Sequence, residues 1–561
     1  MQTVVRHITY HMKNLALITI VCIAFTCCKY LEGDKEKTAS IPATQPADAQ
    51  LRMARDTSIN PGNAYNGLFV DTSAISIYIT RHKISEGDAN DIRGFYNPRN
   101  YQFAWFAKDG LTEQGRAFWN AYTYAKSHGQ KDMAGDKALT ARMDSIVGED
   151  TLFISPNDTA YLQTEVALTN RFIQYYRNSS DQSLVRQLPL VYLIPAKKMT
   201  ALAMADTVLH FNSYLSDSVA KPYGALKKEL VKYDSIAKRG GWQPITLGTL
   251  SLMKGANNPL VSSIKKRLQL TGDYIGSDTT SKFNDSLEVA VRFLQERNGF
   301  DTDGIITDSL LAILNVPVEQ RIEQILINMN RMAWLPPEVK DNFVSVNIPE
   351  FMLHVYEGDS SPVSMRVVVG KEGTNTMMFT GDLKEVVFSP EWNLPASIVK
   401  SEVLPAMKAD PNYLKSKRMV VMRRNDSLPE IKQLSGPGNA LGKVKFLFPN
   451  SYDIYLHDTE AKELFLDKKR AFSHGCIRLE DAEAMSGYVL RDNSAWTANK
   501  IRSAMNGSKP QSVAVKNHIP VVITYFTTWV DAHGQLQFRN DVYQQDKRTA
   551  AMMFVGSKIE W

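Results

Sequence analysis

Cysteine is scarce in this chain. Its 561 residues include four cysteines, and three of them lie near the amino terminus, at Cys22, Cys27 and Cys28. The body of the chain has Cys476 alone, which excludes a disulfide-stabilised scaffold. In an oxidising compartment a lone thiol is a liability unless its reactivity is used. A small buried core residue is the alternative, but the polar neighbours Ser473, His474 and Arg478 argue against an apolar pocket.

The sequence also lacks metal-binding motifs. There is no HExxH motif and no cluster of paired carboxylates, so we expect neither a metal nor another cofactor. The net charge of +6 is a mild basic excess that suits an anionic polymer or an envelope surface. Because no Lys/Arg cluster is interleaved with aromatic residues, we expect no nucleic-acid partner.

No hydrophobic run near the amino terminus is long enough to span a bilayer comfortably. The apolar run from Leu15 to Phe25 follows a basic start, which predicts a cleaved export signal over residues 1–28 and a periplasmic protein. A cysteine at the end of such a segment resembles the lipobox of bacterial lipoproteins, so lipid attachment to a membrane at Cys27 or Cys28 is one hypothesis and an ordinary signal peptide the other. Residues 29–58 are polar and predict a flexible tether.

The remaining chain predicts a multidomain α+β protein. Apolar residues recur at helical spacing before about residue 343 and alternate as in strands after it. An inserted cap interrupts the strand pattern, and such insertions beside an active site often act as lids. The expected segments are a helical scaffold (59–258), a three-helix module (259–316), a linking helix (317–342), a mostly β catalytic domain (343–545) with its cap insertion (about 402–440), and a C-terminal tail (546–561).

The three-helix module resembles the peptidoglycan-binding domain of type 1. The matching residues are Leu268-Gln269, Ala290 to Gln295 and Asp303-Gly304. Thr307 is a plausible N-cap for its third helix. The resemblance implies peptidoglycan glycan as a partner, whereas on the alternative interpretation the same residues only form a helical core.

The run from Ser473 to Leu479, with Cys476 at its centre, is the most informative motif. A lone cysteine with histidines nearby is what thiolate nucleophilic catalysis requires, and His457 lies a strand and a loop upstream. His457 followed by Ser473-His474-Gly475-Cys476-Ile477-Arg478 is similar to the signature of YkuD-type L,D-transpeptidases. The flanking segments resemble the large multidomain branch of that family, which is similar in having Arg at the position of Arg478.

The residue chemistry assigns roles around the thiol. Cys476 is expected to be the nucleophile and His457 the general base and acid, with His474 as the rival base. The backbones of Gly475 and Cys476 are expected to stabilise the oxyanion, and the resemblance implies that a backbone carbonyl at Asp458 orients His457.

The remaining site residues are expected to bind substrate. Arg478 offers a charged fork for a substrate carboxylate or, nearly as well, a local salt bridge. For the others, packing is an equally good interpretation: Ser473, His474, Tyr455, Trp392 and Asn439.

The resemblance implies a reaction on peptidoglycan stems. The enzyme would attack the carbonyl of the third residue of a tetrapeptide, expel terminal D-Ala and form a 3–3 cross-link, and carbapenem-type β-lactams would acylate the cysteine. The acyl group could instead pass to water, to a D-amino acid or to a protein lysine. A non-catalytic wall-binding lipoprotein is a further alternative, against which the intact Cys476 and His457 weigh.

Overall fold

The structure is a computed structural model that describes residues 47–129, 136–149, 152–180, 183–210, 221–246, 251–337, 339, 342–423 and 428–559. The expected export signal, the lipidation site and most of the tether lie outside the described residues. Within these ranges, no helix combines the length and apolar character needed to cross a membrane. The helical region, the three-helix module and the later β domain confirm the multidomain α+β class.

The first part of the chain is a helical region with an aromatic core. Side-chain caps start its helices: the Thr112 hydroxyl accepts from Gly115 N–H, and the Asp158 carboxylate accepts from two amides of the next helix. Trp105, Phe118 and Phe172 pack together at ring distances of 5.0 to 5.5 Å. The longer helices are Thr72–Arg81, Glu86–Tyr96, Glu113–Ser127, Lys137–Val147, Thr159–Asn178, Ala201–His210 and Lys221–Lys238.

The three-helix module has a hydrophobic core of its own. Its helices are Pro259–Thr271, Asp285–Arg297 and Asp308–Leu314. Thr307 caps the third helix, since its hydroxyl accepts from Leu310 N–H. Gly272 ends the first helix in the left-handed conformation (φ 78°), which glycine adopts without steric cost.

The linking helix, Val318–Ala333, is buried on nearly every side and packs into the core of the helical region. Its Arg331 guanidinium is ion-paired with Glu113 and with Asp546, each at 2.5 Å. Asp546 belongs to the helix Gln545–Met553, which lies in the segment expected to be a tail. This helix folds back onto the helical region, where Met199 N–H donates to Met553 O at 3.0 Å.

The β domain is built on one nine-stranded sheet. We number its strands in chain order: β1 Asn342–Asn347, β2 Met352–Glu357, β3 Ser360–Gly370, β4 Phe379–Phe388, β5 Val444–Leu447, β6 Leu456–His457, β7 Ala471–Ser473, β8 Ile477–Leu479 and β9 Gln511–Thr524. Their spatial order is β7-β3-β8-β6-β5-β4-β9-β1-β2, and β2 also pairs with β3. The pairing of β2 with β3 closes the series from β3 to β2 into a ring of eight strands, and β7 pairs with β3 outside that ring.

Alternation along the strands divides this sheet into two faces. One face supplies the apolar core, to which Val369, Leu456 and Phe446 contribute together with the helices Ala482–Val489 and Ala498–Met505. The other face carries the polar residues of the cysteine motif.

The insertion after β4 forms a small subdomain. Trp392–Asn393, Met419–Arg423 and Glu430–Gln433 make a three-stranded sheet. A π-helix at Val399–Val403 and the helix Leu404–Ala409 lie between its first and second strands. Leu394, Ile398, Val399, Val403 and Ile431 form its own apolar cluster. We call this subdomain the cap.

Candidate active site

The register of the central strands places three basic side chains in one row. His457 in β6 pairs with Lys445 in β5 on one side and with Arg478 in β8 on the other. Residues in register on neighbouring strands point to the same face of a sheet, about 4.8 Å apart at the backbone. The row Lys445–His457–Arg478 therefore lies across three strands, with the imidazole in the middle.

Cys476 lies directly before β8, two residues before Arg478. Tyr455 has the equivalent position on the neighbouring strand, two residues before His457. Ile477 N–H donates to Tyr455 O at 3.1 Å and fixes this register. The Tyr455 side chain is hydrogen-bonded to the Cys476 sulfur, and its ring centroid is 5.7 Å from that of His457. The Cys476 Sγ also lies 3.7 Å from Asp453 O. The thiol therefore lies at the edge of the row, next to the residue pair that contains His457.

His457 is held as a neutral base. The ring is 4% exposed, and its Nδ1 lies 2.6 Å from Asp458 O. Since a carbonyl oxygen only accepts, Nδ1 carries the hydrogen and Nε2 is left as the acceptor. Burial and then the Arg478 charge lower the pKa of His457 to about 4. At neutral pH the imidazole is therefore uncharged.

Asp458 contributes its backbone to His457, while its carboxylate points elsewhere. The carboxylate accepts from Lys443 N–H and from the Lys462 ammonium, both at 2.9 Å. The close approach of Gly442 explains this placement, because a Cβ at that position would lie 2.6 to 2.7 Å from Asp458 atoms. The carbonyl contact expected from the resemblance is therefore present in the structure.

The Cys476 side chain is a protonated thiol and not a preformed thiolate. Burial raises the pKa of Cys476 above its ordinary value, and only the hydrogen bonds from Tyr455 and the more distant Arg478 charge oppose this shift. A neutral thiol beside a neutral imidazole is the resting state at neutral pH. The chemistry available to this pair is proton transfer during attack, with Nε2 as acceptor.

The turn before the cysteine is held by hydroxyl groups. The Ser473 hydroxyl donates to Cys476 O at 2.5 Å and accepts from Gly475 N–H at 3.2 Å. Thr376 donates to Gly475 O at 2.7 Å, where Gly475 has a φ of 110° that favours glycine. The Gly475 N–H is already engaged, whereas the Cys476 N–H, like that of His474, donates no hydrogen bond within the described chain.

His474 is directed to the cap and not to the row. Its Nε2 lies 2.8 Å from the Glu402 carboxylate, which the cap's π-helix supplies. Both side chains are partly exposed to solvent. This contact joins the cap to the turn two residues before Cys476, and it engages the ring of the rival base, His474, with a carboxylate of the cap.

Arg478 makes no ion pair within the described ranges. Its Nε is buried without a hydrogen-bond partner, and burial lowers the pKa of the guanidinium. The local salt bridge considered as an alternative role is absent among the described residues. The charge of Arg478 is therefore available to an anionic group in the site.

Two of the expected groove residues lie at the site and one does not. The Trp392 indole, in the first strand of the cap, is hydrogen-bonded to the Tyr455 side chain, so a chain of polar contacts runs from the cap through Tyr455 to the sulfur. Asn439 instead has a structural position. Its amide donates to Pro390 O and Leu434 O, at 3.1 and 3.0 Å, and ties the cap to the sheet.

Sequence reasoning missed three residues: Lys445, Thr376 and Glu402. Lys445 had a local signal, because it is a charged residue at an alternating position of the run Lys445-Phe446-Leu447-Phe448. Thr376 and Glu402 had none, since they reach the motif only through long-range pairing. No group of three or more His, Cys, Asp or Glu side chains positioned for a metal ion occurs in the part of the chain that the structure describes.

Comparison with known families divides the chain in the same order as the structure. Residues 341–523 match the L,D-transpeptidase catalytic domain (YkuD). Residues 257–314 match the family described as "Putative peptidoglycan binding domain", and residues 90–230 match the family described as "Scaffold domain".

A Haemophilus influenzae protein named "Putative L,D-transpeptidase" is 28% identical over 318 residues. The match covers 54% of this chain and 64% of that relative, so it spans less than two thirds of the relative's length.

Solved structures show only a distant likeness. An L,D-transpeptidase from Mycobacterium smegmatis is 13% identical with a TM-score of 0.19, over 33% of this chain and 58% of the other. L,D-transpeptidase 3 from Mycobacterium tuberculosis is 13% identical with a TM-score of 0.18, over 33% and 61%. The family matches identify two segments of the chain: a YkuD L,D-transpeptidase catalytic domain at residues 341–523 and, before it, a peptidoglycan-binding domain at residues 257–314.

Proposed function

We propose that this protein forms 3–3 cross-links in peptidoglycan through a thioester on Cys476. The observation that supports this most is the row of β5, β6 and β8, in which a neutral His457 with a free Nε2 lies beside the strand that begins at the thiol. The acyl donor is a tetrapeptide stem, and the bond that breaks is the amide between its third residue and the terminal D-Ala.

Acylation begins when His457 Nε2 takes the thiol proton as Sγ attacks the carbonyl carbon of the third residue. The Cys476 N–H, which is not engaged elsewhere and belongs to the nucleophile itself, stabilises the oxyanion. When the C–N bond breaks, His457 returns its proton to the departing amine of D-Ala. The product of this half-reaction is a thioester and free D-Ala.

Deacylation repeats these steps with the acceptor. The side-chain amine of a second stem attacks the thioester carbon and loses its proton to His457. The C–S bond then breaks, and the proton returns to the sulfur. Tyr455 keeps its hydrogen bond to the sulfur throughout, which stabilises the charge that develops there.

The surroundings support a substrate in the cell wall. The peptidoglycan-binding module precedes the catalytic domain in the same chain, which favours an extracytoplasmic enzyme that holds its polymer while it acts. Export to the periplasm and lipid attachment at Cys27 or Cys28 are part of this proposal. So is acylation of Cys476 by carbapenems, which present a strained carbonyl to the same nucleophile.

Product analysis tests the proposal and separates it from the other acceptors. Disaccharide-tetrapeptide is incubated with the protein and with Cys476→Ala, and the products are separated and weighed. We expect a tetrapeptide–tripeptide dimer from the wild type alone. Tripeptide without dimer would favour hydrolysis, exchange of D-Ala for an added D-amino acid would favour an exchange enzyme, and transfer to a protein lysine would indicate an anchoring enzyme. An unchanged tetrapeptide would leave a wall-binding protein.

A further inference from the structure

Lys445 is a half-buried lysine whose ammonium makes no ion pair among the described residues. Burial lowers the pKa of its ammonium, and the Nζ lies 5.8 Å from the Tyr455 ring centroid. The carboxylates of Glu385 and Glu391 are close enough to oppose this pKa shift, but neither forms an ion pair with the ammonium, and Glu391 is paired with Lys432 at 2.9 Å. Within the described residues, the Lys445 side chain makes no hydrogen bond and no ion pair.

Unpaired interior cations are unusual in proteins, because removing a charge from water costs free energy that a partner normally offsets. Another lysine of this chain follows that rule. Lys265 is fully buried in the peptidoglycan-binding module, where its ammonium contacts Asp278 at 2.7 Å and two backbone carbonyls. Lys445 and Arg478 are half-buried, make no ion pair among the described residues, and both belong to the row of His457.

The row also sets the distance between the two cations. Lys445 and Arg478 lie on either side of His457, two strand spacings apart, which is about 10 Å at the backbone. One carboxylate cannot contact both cations while the imidazole between them faces the reacting bond. The arrangement suits a ligand with two anionic groups, one on each side of the scissile carbonyl.

We propose that Lys445 binds a second carboxylate of the acyl donor and thereby selects its third residue. This inference rests on the proposed function. Arg478, on the strand of the nucleophile, binds the terminal carboxylate of the donor, one residue beyond the scissile carbonyl. Lys445, with its longer reach, binds a carboxylate at the end of the third residue's side chain. The preferred donor is a stem whose diamino acid has a free side-chain carboxylate, and not one with a carboxamide or with lysine.

Three synthetic donors test the selection. They are tetrapeptide stems with diaminopimelate, its side-chain monoamide or lysine as the third residue, each turned over by the wild type, Lys445→Met and Lys445→Arg. A hydrogen bond to a charged group changes affinity by roughly tenfold to hundredfold. We expect the wild type to prefer the free carboxylate by about that factor in kcat/KM, mainly through KM.

For Lys445→Met, kcat/KM on the diaminopimelate donor should fall to the value on the monoamide donor. Its kcat/KM on the monoamide donor should equal that of the wild type. Lys445→Arg should retain the preference. Lys443→Met is the matched control, because Lys443 lies just before β5, is exposed, and lies outside the row; it should behave as the wild type.

Two results overturn this inference alone: a wild type that turns over all three donors equally, or a Lys445→Met variant that slows them all by the same factor. A wild type that releases D-Ala from none of the three overturns the proposed function, and the inference with it.

Discussion

Burial of His457 makes the stability of the catalytic domain depend on pH in a defined direction. The ordinary pKa of 6.5 falls to about 4 in the folded protein, first through burial and then through the Arg478 charge. The folded state therefore binds this proton less readily than the unfolded chain does. The corresponding stability is complete above about pH 6.5 and is lost as the pH falls towards 4, by roughly 3 kcal/mol at about 1.4 kcal/mol per pH unit.

The test compares the wild type with His457→Gln, which has no imidazole to titrate, over a series of pH values. Urea unfolding is followed at each pH by hydrogen exchange of peptides from β5, β6 and β8, so that the transition of the sheet is separated from that of the helical region. Other groups, such as Asp546, whose pKa burial raises above its ordinary value, titrate in both proteins and cancel in the difference. Between pH 7 and pH 4, we expect the free energy of unfolding of the wild type to fall by roughly 3 kcal/mol more than that of the variant.

Parallel pH profiles for the two proteins would refute this reasoning, because they would mean that the imidazole titrates alike in the folded and unfolded chain. Arg478→Met supplies an independent check. Removing that charge raises the pKa of His457 in the folded protein but not in the unfolded chain, so the loss of stability should end at a higher pH and be smaller in total than in the wild type.

Three further predictions follow from the contacts of the catalytic turn. Because burial raises the pKa of Cys476, the rate of its alkylation by iodoacetamide should rise continuously from pH 6 to beyond pH 9, whereas a plateau between pH 5 and pH 8 would indicate a preformed thiolate. Thr376→Val removes the hydrogen bond to Gly475 O and should lower kcat about tenfold to hundredfold with little change in KM; an equal rise in KM would mean that the turn binds substrate and does not orient the donor. Glu402→Gln weakens the contact between the cap and His474; because that pair is partly exposed we expect little change in Tm but faster proteolysis within the cap, and unchanged proteolysis would contradict the contact.

Much of the architecture could be predicted from local patterns. Helical spacing before residue 343 and alternation after it predict the α+β class, which the structure confirms. Both periods are visible in the sequence because they follow from which face of a helix or strand is buried. The marks Leu268-Gln269 and Asp303-Gly304 led to the peptidoglycan-binding domain, which the family comparison confirms. The roles assigned to Cys476, His457 and the Asp458 carbonyl stay predictions, although the structure brings these groups together.

Contacts that depend on strand register or on distant segments could not be predicted. The Lys445–His457–Arg478 row exists only because β5 and β8 both pair with β6, and no local pattern reports which strands become neighbours. The helix Gln545–Met553 packs against residues near Met199 for the same reason. For Asn439 the sequence favours a groove position and a packing position equally, and only the fold shows that its amide donates to backbone carbonyls between the cap and the sheet.

The central claim is a thioester on Cys476, and intact-protein mass spectrometry tests it most directly. The wild type, Cys476→Ala and His457→Gln are each mixed with disaccharide-tetrapeptide, and separately with a carbapenem, and quenched in acid over a time course. We predict an adduct of disaccharide-tripeptide acyl mass and a carbapenem adduct on the wild type, none on Cys476→Ala, and strongly slowed formation on His457→Gln. An adduct that persists in Cys476→Ala, or equal rates for the wild type and His457→Gln, would contradict the account.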